Sequence, residues 1–414
     1  MAAARAAELG CRTLLLEKSS KVGAKILMSG GTRCNITHAT NAQGIADAFA
    51  AFDKKQAGFL RSSLAALPPE KVIELFEDEG IATKVEDTGK VFPVSNRAVD
   101  VRDALLRRAE NSGVSLTIGA AVTEIEKQQQ GFVVKTSEQR FIASRLLITS
   151  GGQSYPGCGT TGDGYWWARQ FGHKVVNPLP ALTPITTDEQ WVRNLQGITL
   201  PDAMLSIVRS DPQQEANGYS SKHFLASRRS SVLFTHFGFS GPAALDISRT
   251  ITLSTEPTSL NLVCDFLPTS GFEDFLSQLT DDCRGAGRGS VSAVVQGLLP
   301  KRLAGAVMDR TGVPAVNRAA ELSRREIRNL ARMIKGAIVP ISGTLGFQKA
   351  EVTAGGVSLE EVDSRTLQSS IVDGLYFAGE VLDIDGPIGG FNFQAAFSTG
   401  WLAGQSVADN THSI

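Results

Sequence analysis

The stretch Gly374-Leu-Tyr-Phe-Ala-Gly-Glu-Val-Leu-Asp-Ile-Asp-Gly-Pro-Ile-Gly-Gly-Phe-Asn-Phe-Gln-Ala-Ala-Phe-Ser-Thr-Gly400 indicates the fold class of this chain. Its apolar start, Leu375 to Ala378, predicts a strand, which leads into Gly379-Glu380, an acidic glycine-rich loop and a small-residue helix that begins near Gly390. Glycines allow close approach of the backbone, and the N-terminus of a helix attracts electron-rich groups. The order predicts a cofactor site, although a lone glycine-rich loop more commonly serves only a tight turn.

The beginning of the chain complements this end. Ala2 to Leu9 is an alanine-rich run closed by Gly10, which predicts a helix and its stop, and the apolar segment Cys11 to Leu16 predicts a strand that ends at Glu17. The acidic residue after the second strand of a dinucleotide-binding unit accepts hydrogen bonds from a ribose. We therefore expect Glu17 to bind the adenosine ribose of a two-nucleotide flavin fold, although alone it would more often be a solvated strand end.

Several segments together resemble one family, the HI0933-like bacterial flavoproteins, which are FAD-dependent oxidoreductases that include bile-acid dehydro-reductases. The joint spacing of these segments is more specific than any one of them, because they extend over nearly all of the chain. They are Lys25 to Thr37, Gly89 to Asn96, Gly159 to Tyr165, Phe234 to Leu245 and Glu351 to Gly400.

The resemblance implies an α/β fold with a Rossmann-like, two-nucleotide FAD-binding domain that is split in sequence by an insert. Prolines and short alternating strands begin near residue 178, and helical patterns follow from Phe272. We expect residues 1–177 and 344–414 to form the FAD-binding domain. Residues 178–343 are expected to form an insert of β-barrel-like strands and then helices, which covers the flavin and shapes the substrate pocket.

The expected FAD-binding residues lie at strand ends, in glycine-rich segments and at the start of the last helix. For Val122, Ser150 and Gly151 the alternative is an ordinary strand edge or turn. The full set is Glu17, Lys18, Lys25, Ser29, Gly30, Gly31, Arg33, Asn35, Val122, Ser150, Gly151, Gly379, Glu380, Asp385, Gly389, Gly390, Phe391 and Asn392.

Gly157-Cys-Gly-Thr-Thr-Gly162 satisfies the pattern G-x-G-x-x-G, but its context is wrong for a second nucleotide fold. The preceding predicted strand, Arg145 to Thr149, is separated from it by seven residues, and no acidic residue follows at the expected position about twenty residues on. By resemblance this is a loop near the flavin. We therefore expect NAD(P)H to dock transiently over the flavin rather than in a domain of its own.

Family members begin with a strand and a glycine-rich phosphate loop directly before the helix that here opens at Met1, and this sequence has neither. That strand normally occupies the middle of the parallel sheet, so its absence removes paired backbone groups together with the pyrophosphate cradle. We expect that the start codon has been placed too far downstream or that the chain has been trimmed. The alternative is a truncated protein that binds FAD weakly or not at all and has a non-enzymatic role.

Composition excludes several other classes of protein. The formal charge of −1 gives no global attraction to nucleic acid or membrane, and no apolar run approaches the roughly 20 residues needed to span a bilayer. The five cysteines form no C-x-x-C pair, and the histidines show no metal-ligand spacing. We expect a cytoplasmic enzyme without a metal site.

One part of the insert is strongly basic. Between Lys301 and Lys335 nine basic residues stand against three acidic ones, and a predicted helix from Val316 to Ile334 carries apolar residues on one face. A solvated helix face is the default interpretation of such a run, and an RNA phosphate contact is the more specific one.

Three functions remain open on the sequence alone. The first is hydride transfer from NAD(P)H through FAD to an activated carbon–carbon double bond of a small molecule, the second is reduction of a uridine in ribosomal RNA, an activity also associated with the family, and the third is the cofactor-free role. Arg33 is the candidate for orienting the substrate. Cys34, His236 and Tyr155 are candidate proton donors, although a structural role is the better interpretation of each residue alone.

Overall fold

The computed structural model describes residues 1–217 and 219–409. The chain divides into two compact units, which are treated separately below. Unit 1 comprises Met1–Pro180 and Ala350–Ile414, and unit 2 comprises Ala181–Lys349. None of the helices in the described ranges combines the length and apolar character needed to cross a bilayer.

The helices and strands are numbered in chain order. The helices are α1 (Ala2–Glu8), α2 (Ala24–Met28), α3 (Ala42–Ala50), α4 (Lys54–Ala66), α5 (Pro69–Asp78), α6 (Ala98–Asn111), α7 (Asp163–Gln170), α8 (Gln190–Arg193), α9 (Pro212–Asn217), α10 (Pro242–Thr252), α11 (Phe272–Gly285), α12 (Val291–Leu298), α13 (Lys301–Thr311), α14 (Arg324–Gly336) and α15 (Phe391–Asp409). The strands are β1 (Leu14–Glu17), β2 (Thr37–His38), β3 (Thr83–Val85), β4 (Lys90–Pro93), β5 (Ser115–Ile118), β6 (Val122–Gln128), β7 (Gly131–Thr136), β8 (Arg140–Ala143), β9 (Leu146–Ile148), β10 (Val175–Ala181), β11 (Ile185–Thr186), β12 (Thr199–Arg209), β13 (Ala226–Thr235), β14 (Gly238–Ser240), β15 (Leu260–Asp265), β16 (Ala337–Pro340), β17 (Gly343–Thr344), β18 (Val352–Val357) and β19 (Leu375–Phe377).

The parallel strands of unit 1 form two separate pairs in the described chain. β1 pairs with β5 in the register Leu14↔Ser115, and β9 pairs with β19 in the register Leu146↔Leu375. The sequence predicts one meander from Val114 to Thr149, but only β6, β7 and β8 form it. The strands within each of these two pairs can lie parallel because they are joined through long crossovers rather than tight turns.

Helices surround these strands in unit 1. The sequence predicts helical structure from Ile45 to Phe76, and this region forms three helices rather than one. The Asp53 side chain caps α4 by accepting from Lys55 N at 2.7 Å, and Pro68-Pro69 ends α4 and begins α5, because proline lacks the N–H that a helix interior needs. The long α15 packs against α1 and α4, which fixes where its first turn lies.

Unit 2 is built on one seven-stranded antiparallel sheet with the order β16-β15-β12-β13-β14-β11-β17. Helices α10 to α14 cover a core to which both β12 and β15 contribute, for example Leu205 and Leu262. α14 begins at Arg324 and not near Val316, so the predicted helix is too long at its start. Ser323 and Glu326 form a reciprocal capping box there, which stops the helix from extending backward.

Candidate functional site

The α15 turn, Gly389 to Asn392, is a tightly constrained part of unit 1. Gly390 has a φ of +95°, and a Cβ atom on it would lie 2.5 Å from the carbonyl carbon and oxygen of Thr37. Only glycine fits such an approach of two backbones. The first N–H groups of a helix have no acceptor within the helix, and the N-terminus is the positive end of the helix dipole. The α15 turn, which packs against β2, therefore offers backbone donors and a partial positive charge.

Side chains around this turn hold it in place. Asn392 closes the preceding loop, since its Oδ1 accepts from Gly386 N at 2.8 Å and its Nδ2 donates to Gly386 O at 2.9 Å. One turn further, Gln394 is fully buried, accepts from Thr37 Oγ1 at 2.5 Å and donates to Leu67 O at 2.9 Å. Asn392 therefore acts on the loop, while the backbone of the turn stays available to a ligand.

Asn35 supplies an unpaired acceptor in the glycine-rich segment. Its side chain is 8% exposed, and its Oδ1 has no hydrogen-bond partner among the described residues. Gly30 and Gly31 precede it with φ values of +54° and +67°, and a Cβ on Gly30 would lie 3.0 Å from Asn35 N. A buried polar atom without a partner is costly, so this atom fits a donor from a bound molecule.

Glu380 is the centre of a polar network that also includes Lys25, Ser154 and Thr353. The Glu380 carboxylate accepts from Lys25 Nζ at 2.5 Å, from Ser154 Oγ at 2.9 Å and from Thr353 N at 2.9 Å. Lys25 Nζ also donates to Ser154 Oγ at 2.7 Å. The sequence singles out Lys25 and Glu380, and the structure places them together although they are far apart in the chain.

The end of β1 is organised differently. Glu17 accepts from Ser19 N at 2.7 Å, which leaves its other oxygen for a ligand, and Lys18 Nζ forms an ion pair with Asp163 at 2.6 Å and a hydrogen bond with Thr161. Lys18 thereby connects β1 to the loop before α7. This loop contains the G-x-G-x-x-G pattern, and it precedes a helix without directly following a strand.

Some of the remaining predicted cofactor residues are accessible to a ligand, and others use their polar groups in hydrogen bonds within the protein. Ser150 is exposed two residues after the end of β9, Gly151 is half-buried, and Val122 starts β6. Ser29 donates to Ile26 O at 2.8 Å, and Gly379 N donates to Thr399 Oγ1 at 3.0 Å. Asp385 is 1% exposed and accepts from Gln56 Nε2 at 3.1 Å, so it stabilises the loop from inside.

The candidates for catalysis lie in three different environments. Arg33 forms an ion pair with Glu86 at 2.7 Å and stacks on Phe92, with its guanidinium carbon 4.0 Å from the ring centroid. Cys34 is fully buried, and burial raises the pKa of its thiol to about 12. His236 is exposed on the turn between β13 and β14 in unit 2.

Backbone strain marks the same part of unit 1. Thr32, Cys34 and Tyr155 all have φ values between +56° and +68°, a region that residues with side chains rarely adopt. Strained residues of this kind cluster at ligand sites. Sequence reasoning missed Ser154, Thr353 and His38 as part of this region, and the only signal for Ser154 was its position after a predicted strand end.

These residues fit an FAD molecule. The α15 turn offers N–H donors and a positive dipole end, Asn35 Oδ1 offers an acceptor, and Glu17 offers a carboxylate at the end of β1. The strongest single observation for this fit is the buried Asn35 Oδ1, because none of the described residues donates a hydrogen bond to it.

A comparison with known families and proteins adds a second kind of evidence. The model of the HI0933-like protein Rossmann domain matches residues 1–406. The chain belongs to the HI0933-like family. This family consists of flavin-dependent oxidoreductases with a Rossmann-type fold, which confirms the predicted family and fold class.

Relatives resemble the chain over almost its whole length. A ribosomal RNA dihydrouridine synthase of Escherichia coli is 33% identical over 98% of this chain and 94% of that protein. A ribosomal RNA dihydrouridine synthase of Haemophilus influenzae is 30% identical over 98% of this chain and 95% of that protein. A 3-dehydro-bile acid delta(4,6)-reductase of Clostridium scindens is 30% identical over 96% of this chain and 93% of that protein.

Proposed function

We propose that this protein is an FAD-dependent reductase of an activated carbon–carbon double bond, and that its substrate is a uridine in ribosomal RNA. The observation that carries the choice of substrate is the arginine-rich face of α14. Two relatives of nearly full length that are named for the same reaction support the choice. NAD(P)H is the proposed electron donor, and we propose that it docks transiently, because the sheets of the described residues include no second nucleotide fold.

The residues of unit 1 hold the cofactor in this proposal. Glu17 binds the adenosine ribose, the α15 turn binds the pyrimidine edge of the flavin, and Asn35 accepts from a ring N–H. When bound, FAD supplies the hydride acceptor and donor of the reaction. We assign Glu380 and Lys25 to the same site, where their mutual ion pair neutralises two charges.

The protein also has to orient the substrate and supply a proton. Arg33 is half-exposed and held flat against Phe92, so its remaining donors can contact a uracil carbonyl or a phosphate. Cys34 is protonated at neutral pH because burial raises the pKa of its thiol to about 12. Its complete burial prevents direct contact with a substrate in this arrangement, so Cys34 supports the strained turn instead.

The arginine face of α14 consists of Arg324, Arg325, Arg328 and Arg332. All four are exposed, whereas Ile327, Leu330 and Ile334 on the other face are buried in the core of unit 2. Lys335, which belongs to the same basic stretch of sequence, is not part of this face, because it forms a buried ion pair with Asp265 at 2.8 Å. Arg328 also lies 3.9 Å from Glu273 Oε1, in an ion pair that is exposed on both sides. A helix with four exposed arginines on one face suits the phosphates of RNA.

The test uses FAD-loaded protein, NADH or NADPH, and ribosomal RNA transcribed without modifications. Dihydrouridine is measured by mass spectrometry of the digested nucleosides. The arginine face is removed with R324Q, R325Q, R328Q and R332Q, and the matched control removes four ion-paired arginines elsewhere in the same unit with R193Q, R229Q, R310Q and R318Q. We expect only the first variant to lose RNA affinity, with a salt slope reduced by about 0.7–0.9 for each lost phosphate contact.

A second candidate substrate is a steroid enone, which the relative named as a bile-acid reductase supports. Reduction of a 3-oxo-4,6-diene by the purified enzyme, followed at the ultraviolet band of the conjugated ketone, tests it. Turnover of the steroid together with no dihydrouridine in RNA would replace the RNA proposal with this one.

A further inference from the structure

His38 contacts the α15 turn from β2. Its Nδ1 is 3.1 Å from the carbonyl oxygen of Gly389, and its ring stacks on Phe391 with centroids 4.6 Å apart and planes at 23°. A carbonyl oxygen can only accept a hydrogen bond, so Nδ1 carries the proton and donates. His38 therefore contacts the turn at two points, the carbonyl oxygen of Gly389 and the ring of Phe391.

This contact determines the direction of the next N–H group. The carbonyl of Gly389 and the N–H of Gly390 belong to one planar trans peptide unit and point in opposite directions. Holding the carbonyl oxygen at His38 directs Gly390 N–H away from His38. Within the described chain no hydrogen bond has Gly390 N as its donor.

The peptide would otherwise be free to turn over. It lies between two glycines with φ values of +133° and +95°, and glycine adopts such conformations and their mirror images at little cost. The hydrogen bond from His38 is thus the contact that selects one orientation of this peptide. A neighbouring hairpin fixes the histidine in turn, because a Cβ on Gly89 would lie 2.5 Å from His38 Nε2.

We propose that His38 is a positioning residue that orients the Gly389–Gly390 peptide, so that Gly390 N–H and not Gly389 C=O is presented to a flavin at the α15 turn. The inference rests on the proposed function, specifically on FAD binding at this turn. A donor stabilises the negative charge of the reduced cofactor, whereas a carbonyl oxygen destabilises it. His38 therefore raises the reduction potential and the affinity of the bound flavin without touching a substrate.

Two substitutions of nearly equal shape isolate the hydrogen bond. In His38→Asn, Nδ2 occupies the position of the histidine Nδ1, so the donor is kept while the ring is lost. In His38→Leu, a methyl group takes that position, so both are lost. The dissociation constant of FAD is measured by fluorescence titration of the apoprotein, the flavin potential by equilibration with a reference dye, and the stability of the apoprotein by urea unfolding.

We expect His38→Asn to match the wild type and His38→Leu to bind FAD about tenfold more weakly. We also expect His38→Leu to lose a further factor of ten in its preference for reduced flavin, which is a lowering of the two-electron potential by about 30 mV. Equal potentials for the two variants, with normal FAD binding by the wild type, overturn this inference alone. No FAD binding by the wild type overturns the proposed function and this inference with it.

Discussion

The two units of this protein differ in where their backbone is strained and in how their strands pair. Among the described residues, five of the six non-glycine positions with positive φ lie in unit 1, namely Thr32, Cys34, Asn96, Tyr155 and Leu367, and Leu182 lies in unit 2. Unit 2 pairs its strands into one sheet of seven, whereas the parallel strands of unit 1 occur as two pairs. Strained residues cluster at ligand sites, so the comparison favours unit 1 as the place of the proposed binding site.

One lysine–carboxylate pair of each unit invites comparison, Lys335–Asp265 in unit 2 and Lys25–Glu380 in unit 1, because the two pairs differ in what surrounds them. Lys335 in unit 2 is 4% exposed, pairs with Asp265 and donates to the carbonyls of Leu267 and Ser270, so all of its donors are used inside the protein. Lys25 in unit 1 is 32% exposed and pairs with Glu380 at an open edge. The first pair serves folding, and the second is available to a bound molecule.

The largest effect on stability is expected when one glycine of each unit is replaced by alanine and the two variants are compared. Gly390→Ala forces a Cβ within 2.5 Å of Thr37 at a φ of +95°, so we expect a loss of about 3–5 kcal/mol in the free energy of unfolding and no FAD binding. Gly305→Ala in helix α13 meets no atom within 4 Å, and we expect a gain of about 0.5–1 kcal/mol. Urea unfolding and FAD titration of both variants provide the measurement, and equal stabilities would contradict the comparison.

The next effect concerns the buried pair of unit 2. Lys335→Met leaves the carboxylate of Asp265 buried without its partner, which costs about 3–5 kcal/mol of stability. We expect the FAD dissociation constant of the folded variant to stay unchanged, because the pair belongs to the core of the unit without the flavin residues. Lys301→Met, at an exposed position of the same unit, is the control and should change neither quantity.

A smaller effect on stability, with a larger one on binding, is expected for Lys25→Met. The pair with Glu380 is partly exposed, so its loss should cost about 1–2 kcal/mol. The double variant with Glu380→Gln measures the coupling of the two residues. FAD affinity should fall in each single variant, and an unchanged affinity would show that the network only holds the loop.

The sequence was sufficient for those parts of the fold that depend on local signals. Gly390, Gly389 and Asn392 were predicted as part of a helix start, because glycines before a run of small residues mark such a start. The partner of that start, Thr37-His38, could not be predicted, because a two-residue strand has no periodicity. Its approach to Gly390 depends on tertiary packing of α15.

Pairing across long sequence separations also lay beyond the sequence. Lys25 and Glu380 were each predicted as cofactor residues from family motifs, but only the structure shows that they bind each other, 355 positions apart. The helix predicted from Val316 was too long because arginine-rich sequence favours helix throughout, while the capping box at Ser323 determines the actual start.

The smallest effect is expected for the pH dependence of stability that His173 gives to unit 1. The side chain of His173 is fully buried, its Nε2 is 2.8 Å from Ser369 Oγ, and its ring packs on Phe377, so desolvation lowers its pKa although Glu361, 3.3 Å from Nδ1, acts in the opposite direction. A histidine with a lowered pKa in the folded state takes up its proton more readily when unfolded. Its contribution to stability is therefore complete above about pH 6.5 and is lost as the pH falls through the lower folded value.

Urea unfolding between pH 5 and pH 8 measures this dependence, with His173→Gln as the variant that lacks the titrating group. We expect the wild type to lose more stability than His173→Gln on acidification. Glu361→Gln should steepen the loss, because it removes the only described charge that favours the protonated ring. His223→Gln, which replaces an exposed histidine of unit 2, is the control and should follow the wild type. Parallel curves for the wild type and His173→Gln would mean that the buried ring opens to water before the unit unfolds.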